Sequence, residues 1–410
     1  MRTWNQTFRT CVSAAEVPDE YAICRDRNLV LQTSVVTKYK TAAEICNGVL
    51  TSVKEECKIG AKVMDLCYIG DDMIEDSCAK IFKGKSIEKG IAFPTCVSIN
   101  HCVGHYSPLA DEATLSDGDV VKIDLGVHID GFIAVQATTV IISASMDQPV
   151  SGRAADLLAC AHYCFEAAMR LIRPGNHVRD VSGPLQTIAE SFGCTLVEGV
   201  MTHNMKQFVI DGNKCVLNRP ASDQRVDDAE FEENEVYAVD IVVSTGDGKA
   251  RVVDEKQTTV FKRALNVEYS LKLKSSRTIL SDIDKRYPCM PFPLRKLLAT
   301  STSSKFGLVE CLQHGLLHAY PVLWEKDGEL VAHIKSTVLL MRNGSDRITV
   351  SPLQSFNTSK TIEVCSCHLD FKICLFLAEC SVRNKPLHHW QLLILCLTLI
   401  CHSLCDGTFQ

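Results

Sequence analysis

Between Tyr39 and Val53 apolar side chains return every three or four positions, at Tyr39, Ala43, Cys46, Leu50 and Val53, the stripe of a helix lying on a core. No sustained period precedes them up to about Gln32, so ordered structure is expected to begin near Ser34. Between Asp117 and Ile142 the period shortens. Val120 to Leu125 and Phe132 to Ile142 read as strands, with Asp130-Gly131 as the turn of a hairpin. Helical spacing returns from Gly152 to Ile172, where Leu157, Ala161, Phe165, Ala168 and Leu171 share a stripe and Pro174-Gly175 is the stop. Further strands are expected at Glu235 to Val243 and Leu330 to Met341. From Lys256 to about Tyr320 the chain reads as irregular, basic and helix-like, broken at Pro288-Cys-Met-Pro-Phe-Pro293, the pattern of an inserted subdomain or lid.

Composition narrows the class without naming a function. With 410 residues, 46% hydrophobic and 22% charged, the chain has material for one large globular domain or two ordinary ones. Its net charge of −6 gives no global reason to bind nucleic acid, so any such contact must come from a local basic patch. The 21 cysteines follow no zinc-site order, and the N-terminus lacks the apolar core of a signal peptide. They read as reduced structural thiols of a cytosolic or nuclear protein. Residues 357–410 differ from the rest: seven cysteines, few charges and an apolar stretch from Leu392 to Cys401 that is too short to span a bilayer. No stable membrane insertion is expected.

Candidate chemistry lies on the strands. Asp124 and Asp240 each sit among aliphatic neighbours, where a carboxylate is costly unless a metal, a cation or hydrogen bonds compensate it. His105 and His203 add imidazoles near loop signals, and together the four suggest the remains of an oxygen- and nitrogen-ligand pocket for a divalent metal. A dinuclear hydrolytic site needs several carboxylates between its mutually repelling cations. This chain has too few.

Seven segments, in order, resemble a known family: Val36-Thr-Lys-Tyr-Lys40, Lys89-Gly-Ile-Ala-Phe-Pro-Thr95, Lys122-Ile-Asp-Leu-Gly-Val-His128, Asp130-Gly-Phe-Ile133, Val209-Ile-Asp-Gly212, Glu235-Val-Tyr-Ala-Val-Asp240 and Thr337-Val-Leu-Leu-Met341. They are similar to the methionine-aminopeptidase superfamily, and most of all to its non-catalytic branch, the proliferation-associated, growth-factor-receptor-binding proteins. The resemblance implies an α+β pita-bread fold, a pseudo-symmetric antiparallel sheet covered by helices. That domain would run over residues 34–356 with an insert at about 256–320, between a divergent segment 1–33 and an atypical tail 357–410.

In active relatives five protein ligands hold two metals. Asp124 matches the first aspartate, but Val135 stands where the second is required, and an isopropyl group cannot ligate a cation. His203 matches the metal histidine. Asp240 replaces a glutamate, one methylene shorter, and Lys335 replaces the final glutamate, placing an ammonium where attraction for a cation is needed. His105 matches the substrate-side histidine, while Asp211 occupies the place of a second one. The expectation is a pseudo-enzyme with no cofactor, no catalytic residues and no metal, in which Lys335 pairs with Asp124 or Asp240.

The resemblance further implies binding of structured RNA, ribonucleoprotein or ribosomes, and of regulatory and growth-signalling proteins, in the cytoplasm and nucleus. Lys262, Arg263, Lys272, Lys274 and Arg277, interleaved with Tyr269, are the candidate RNA contacts. The lysine-rich C-terminal stretch of the family is absent, which removes the usual basis for nucleolar targeting. The competing readings are a metal-dependent aminopeptidase with a degenerate site and a pure protein-interaction module.

Overall fold

The computed structural model describes residues 33–362 apart from 85, 111–112, 146–147, 221–223, 225 and 301–305. The expectations for 1–32 and for the apolar stretch Leu392 to Cys401 lie outside the described residues.

Helix α1 (Thr33–Glu56) realises the first stripe, burying Tyr39, Ala43, Cys46, Leu50 and Val53, and α2 (Val63–Lys80) lies beside it. The chain then forms β1 (Lys89–Ile99), β2 (Cys102–Gly104), β3 (Val120–Ile129) and β4 (Phe132–Ile141). Strands β3 and β4 are the expected hairpin. Ile129 pairs with Phe132, and Asp130 and Gly131 between them have φ of 55° and 75°, as a two-residue type I′ turn demands. Pro94 in β1 falls where the register with β3 slips between Phe93 and Cys96, so the ladder loses no regular bond to it.

Helix α3 (Gly152–Leu171) matches the second stripe and is followed by α4 (Ser182–Ser191), β5 (Thr195–Leu196), β6 (Met201–Met205), β7 (Cys215–Leu217) and β8 (Val236–Ser244). Next come β9 (Val260–Arg263), α5 (Lys274–Arg286), β10 (Phe292–Pro293), α6 (Leu294–Thr300), α7 (Phe306–Gln313), β11 (Leu317–Tyr320), β12 (Leu323–Trp324), β13 (Val331–Met341) and β14 (Gly344–Arg347). A nine-stranded sheet runs β1-β3-β4-β13-β8-β6-β7, with β14 on β13 and β5 on β8. Neighbouring strands in it pair antiparallel throughout.

Strand alternation decides what each face of this sheet does. Ile123, Leu125 and Val127 of β3 meet α1 and α2 in one core, and Tyr237, Val239 and Ile241 of β8 meet α3 and α4 in another. Leu125 pairs with Gln136, Gln136 with Ser336 and Ser336 with Val239, so both helix pairs cover the same face. Asp124 and Asp240 therefore point to the other face. There β9, β10 and β11 form a three-stranded sheet, and the helices α5 to α7 close a separate core around Phe261, Ile279, Ile283, Phe292 and Leu297.

The stretch 256–320 is thus more regular than its sequence suggests. Its strands have only two to four residues, too few to display a period. It is fastened to the rest by Arg295 of α6, which is buried against Asp71 of α2 and approaches the Thr95 carbonyl, while the Thr95 N–H donates to Asp71 at 2.8 Å. Cys46, Cys96, Cys160 and Cys164 are buried thiols, not disulfides.

Candidate functional site

One cross-strand row builds the site. Asp124 of β3 stands opposite Ala137 of β4, Ala137 opposite Lys335 of β13, and Lys335 opposite Asp240 of β8. Directly opposed residues of antiparallel strands project to the same face. The small Ala137 leaves the space over β4 to the lysine, whose Nζ lies 2.7 Å from Asp124 Oδ2 and 3.2 Å from Asp240 Oδ2. The expected alternative, pairing with one aspartate or the other, is replaced by a bridge between both. Phe93 contributes its ring face, 5.4 Å from the same nitrogen.

All three charged side chains of the row are buried, so their protonation depends on each other. Burial alone would drive Lys335 toward neutrality, but Asp124 and Asp240 outweigh it and hold the ammonium well above the usual lysine range. Burial would likewise raise Asp240; Lys335 and then His333 reverse the effect and hold it far below the usual carboxylate range. His333 Nε2 donates to Asp240 Oδ1 at 2.8 Å. Two residues from Lys335 on one strand, it shares the lysine's face, and alternation alone would have placed it here.

A cavity of about 190 Å³ opens over this row and brings together all seven residues of the expected pocket: His105, Asp124, Val135, His203, Asp211, Asp240 and Lys335. Val135 is buried, and its N–H donates to Thr337 Oγ1 at 2.8 Å. It offers the cavity only methyl groups. His105 has a φ of 64°, and its Nδ1 lies 3.0 Å from the Pro321 carbonyl, so Nδ1 carries the proton and Nε2 is left as an acceptor. Burial pushes both His105 and His203 below the ordinary histidine range, leaving them neutral at pH 7.

Asp211 defines the far wall. It accepts from Lys262 Nζ at 2.5 Å and from the Tyr320 hydroxyl at 2.6 Å, and Lys262, more than offsetting burial, holds its carboxyl well below the usual range. Tyr320 has no sequence signal of its own, because β9 and β11 bring it here only through tertiary pairing.

This placement corrects the candidate RNA surface. Lys262 is buried in the cavity wall and faces away from solvent because β9 alternates, so the doublet Lys262-Arg263 cannot present both charges to one ligand. Arg263 is largely engaged as well, with Asp284 at 3.0 Å and the Leu316 carbonyl at 3.0 Å. Lys272, Lys274 and Arg277 remain exposed around the start of α5, and exposed Tyr269 stacks on His314 at 3.6 Å.

The donor set does not fit a two-metal centre. Two of the positions that would carry ligands hold Val135 and Lys335, and the lysine's nitrogen lies within bonding distance of both surviving aspartates. Among the described residues no group of three or more histidine, cysteine, aspartate or glutamate side chains is arranged to hold a metal ion. Among them, too, no helix is long and apolar enough to cross a membrane.

Comparison with known proteins agrees with this architecture. The profile of metallopeptidase family M24 matches residues 37–260. The chain is 54% identical to ERBB-3 binding protein 1 of Solanum tuberosum over 332 residues, 80% of this chain and 84% of the relative. It is 47% identical to proliferation-associated protein A of Dictyostelium discoideum, over 77% of this chain and 81% of that one. Among solved structures, a thermophilic Arx1 superposes with a TM-score of 0.77 at 29% identity, covering 87% of this chain and 99% of the other. The chain has the pita-bread fold and belongs to metallopeptidase family M24, within it to the proliferation-associated, ErbB-3-binding protein family.

Proposed function

We propose that this chain is a non-catalytic scaffold that binds structured RNA, ribonucleoprotein or ribosomes together with regulatory proteins, in growth-linked control of transcription, ribosome biogenesis and translation in nucleus and cytoplasm. Residues 34–356 would form the aminopeptidase-like domain, with the stretch at about 256–320 as its insert. The observation that carries the non-catalytic reading is Lys335, whose ammonium bridges Asp124 and Asp240 where a metal would need them. The fixed monovalent cation pairs with one oxygen of each carboxylate but provides neither an open coordination position nor a bound water to activate. His105 and His203 are left without a nucleophile to serve.

The name of the potato relative, an ERBB-3 binding protein, supports a protein partner. RNA contact rests on Lys272, Lys274 and Arg277, three exposed cations beside the exposed Tyr269 ring. Purified protein, grown with manganese, cobalt and zinc supplied, should carry no stoichiometric divalent metal and release no methionine from a peptide. Two tightly held ions accompanied by methionine release would reject the scaffold reading in favour of a peptidase. For the patch, Lys272→Glu with Lys274→Glu should weaken binding to a hairpin RNA and lower its salt dependence by about 0.7 log units for each phosphate no longer neutralised. Unchanged affinity and salt slope would leave only a protein-interaction role.

A further inference from the structure

The start of α5 places a hydroxyl at the centre of the exposed cations. In Lys272-Leu-Lys-Ser-Ser-Arg277, basic side chains flank the serines on both sides, and Lys272, Lys274 and Arg277 are all exposed. The three hydroxyls of this neighbourhood are not equivalent. Ser276 is fully buried, and Thr278 Oγ1 donates to the Lys274 carbonyl at 3.0 Å. Ser275 is partly exposed, and its Oγ has no hydrogen-bond partner among the described residues. The guanidinium of Arg277 folds back over this turn, donating to the carbonyls of Leu271 at 2.9 Å and Lys272 at 2.8 Å. Its charge is thereby held at the N-terminal edge of α5, on the turn that Lys272 and Lys274 share.

We propose that Ser275 is a phosphorylation site for a basophilic serine kinase and that its phosphate switches the patch off; this consequence rests on the RNA reading given above. The Ser275 hydroxyl oxygen attacks the γ-phosphorus of ATP, forming the O–P bond as the bond to ADP breaks, and the hydroxyl proton passes to the kinase's base. The phosphoserine carries about −1.5 to −2 at neutral pH and three acceptor oxygens. Within three residues of Lys272, Lys274 and Arg277, its charge offsets roughly two of theirs and competes with RNA phosphates for their N–H groups. Being in the first turn of α5, it adds negative charge where a helix tolerates it, so the fold survives the modification.

The test uses the full chain. Wild type and Ser275→Ala are incubated with magnesium, ATP and a kinase that reads basic residues on both sides of its target, then mapped by mass spectrometry and titrated with a fluorescent hairpin RNA. The expected result is phosphate on Ser275 of the wild type and none at that position in the variant. The modified protein, and Ser275→Asp to a lesser degree, should lose at least tenfold in RNA affinity, with the salt slope falling from about 2 toward about 0.7. Absence of phosphate from Ser275 overturns the site. If Lys272→Glu with Lys274→Glu weakens RNA binding but phosphorylated Ser275 does not, the switch alone fails. If neither change alters binding, the RNA reading fails and takes the switch with it.

Discussion

Replacing Lys335 by methionine keeps an unbranched apolar stem, one atom shorter, and removes the ammonium that bridges Asp124 and Asp240. Asp124 and Asp240, 5% and 8% exposed, would then remain buried with no ammonium between them. Removing one partner of a buried ion pair typically costs ~3–5 kcal/mol, because the remaining charge is left desolvated. The pH dependence separates this from simple packing loss. In the wild type Asp240 is held below the ordinary aspartate range, so its contribution is complete above about pH 4 and is lost only as acid protonates it in the folded state. Lys335 is held above its ordinary range, so its contribution is complete at neutral pH and lost only in strong alkali. Between pH 5 and 8 the contribution of Asp240 and Lys335 is therefore flat. In Lys335→Met burial of Asp240 is no longer offset by the ammonium and raises its carboxyl, and the folded state now takes up a proton more readily than the unfolded chain. Its deficit at pH 7 should shrink by about 1.4 kcal/mol for each pH unit over which that proton is bound. Urea denaturation of both proteins from pH 8 to pH 5 measures the difference, titrations remote from the row cancel, and a His105→Gln, His203→Gln background removes the two histidines that Lys335 also lowers. A deficit below about 1 kcal/mol, or one that does not change with pH, would refute the electrostatic account of the row.

Val135→Asp combined with Lys335→Glu should yield a protein destabilised without metal and stabilised by manganese, by about 2.7 kcal/mol of unfolding free energy at a hundredfold excess over Kd; a wild type responding equally would contradict the assignment. Burial lowers His128 from 6.5 to about 4. The unfolded chain thus binds its proton first on acidification, and stability should fall by up to ~3 kcal/mol between pH 6.5 and 4, a limb that His128→Leu flattens in a denaturation series. Gly212→Ala would place a methyl 1.9 Å from Asn204 Oδ1 and 2.3 Å from the Asn204 carbonyl, next to both His203 and Asp211. It should cost ~1–3 kcal/mol by thermal melting, and a neutral outcome would mean that the loop after β6 yields easily.

The parts of this fold legible in the sequence are those whose physics is local or strongly periodic. Strands β3, β4, β8 and β13 are nine to eleven residues long and rich in β-branched side chains, and α1 and α3 show a full stripe over several turns. Strands β9, β10 and β11 carry no such signal. Without β9, Lys262-Arg263 reads as one basic doublet, whereas in the strand the two side chains diverge and the lysine serves Asp211. The cluster of seven pocket residues follows from family resemblance and not from spacing, since Asp124 and Lys335 are 211 positions apart and meet only through sheet register. His333 is within reach of alternation; Tyr320, reaching Asp211 from β11, is not.

The changes at Val135 and Lys335 are best understood as one electrostatic change. The family resemblance implies a site where four carboxylates and a histidine surround two divalent ions, a balance that fails at once if the ions leave and the acids stay. Here one fixed positive charge stands in for both ions, and the number of acids falls with it. Valine replaces one aspartate, lysine replaces a glutamate, and Asp124 and Asp240 remain to share the ammonium. The shorter Asp240 is still close enough for Lys335, and its second oxygen is met by His333. A lysine installed without the loss at position 135 would leave a third acid competing for the same N–H donors. A valine installed without the lysine would leave Asp124, Asp240 and a glutamate at position 335 gathered with no fixed cation among them. The two substitutions thus act in the same direction: one removes an acid, the other supplies an ammonium to the acids that remain, and neither an isopropyl group nor an ammonium has a lone pair to offer a cation.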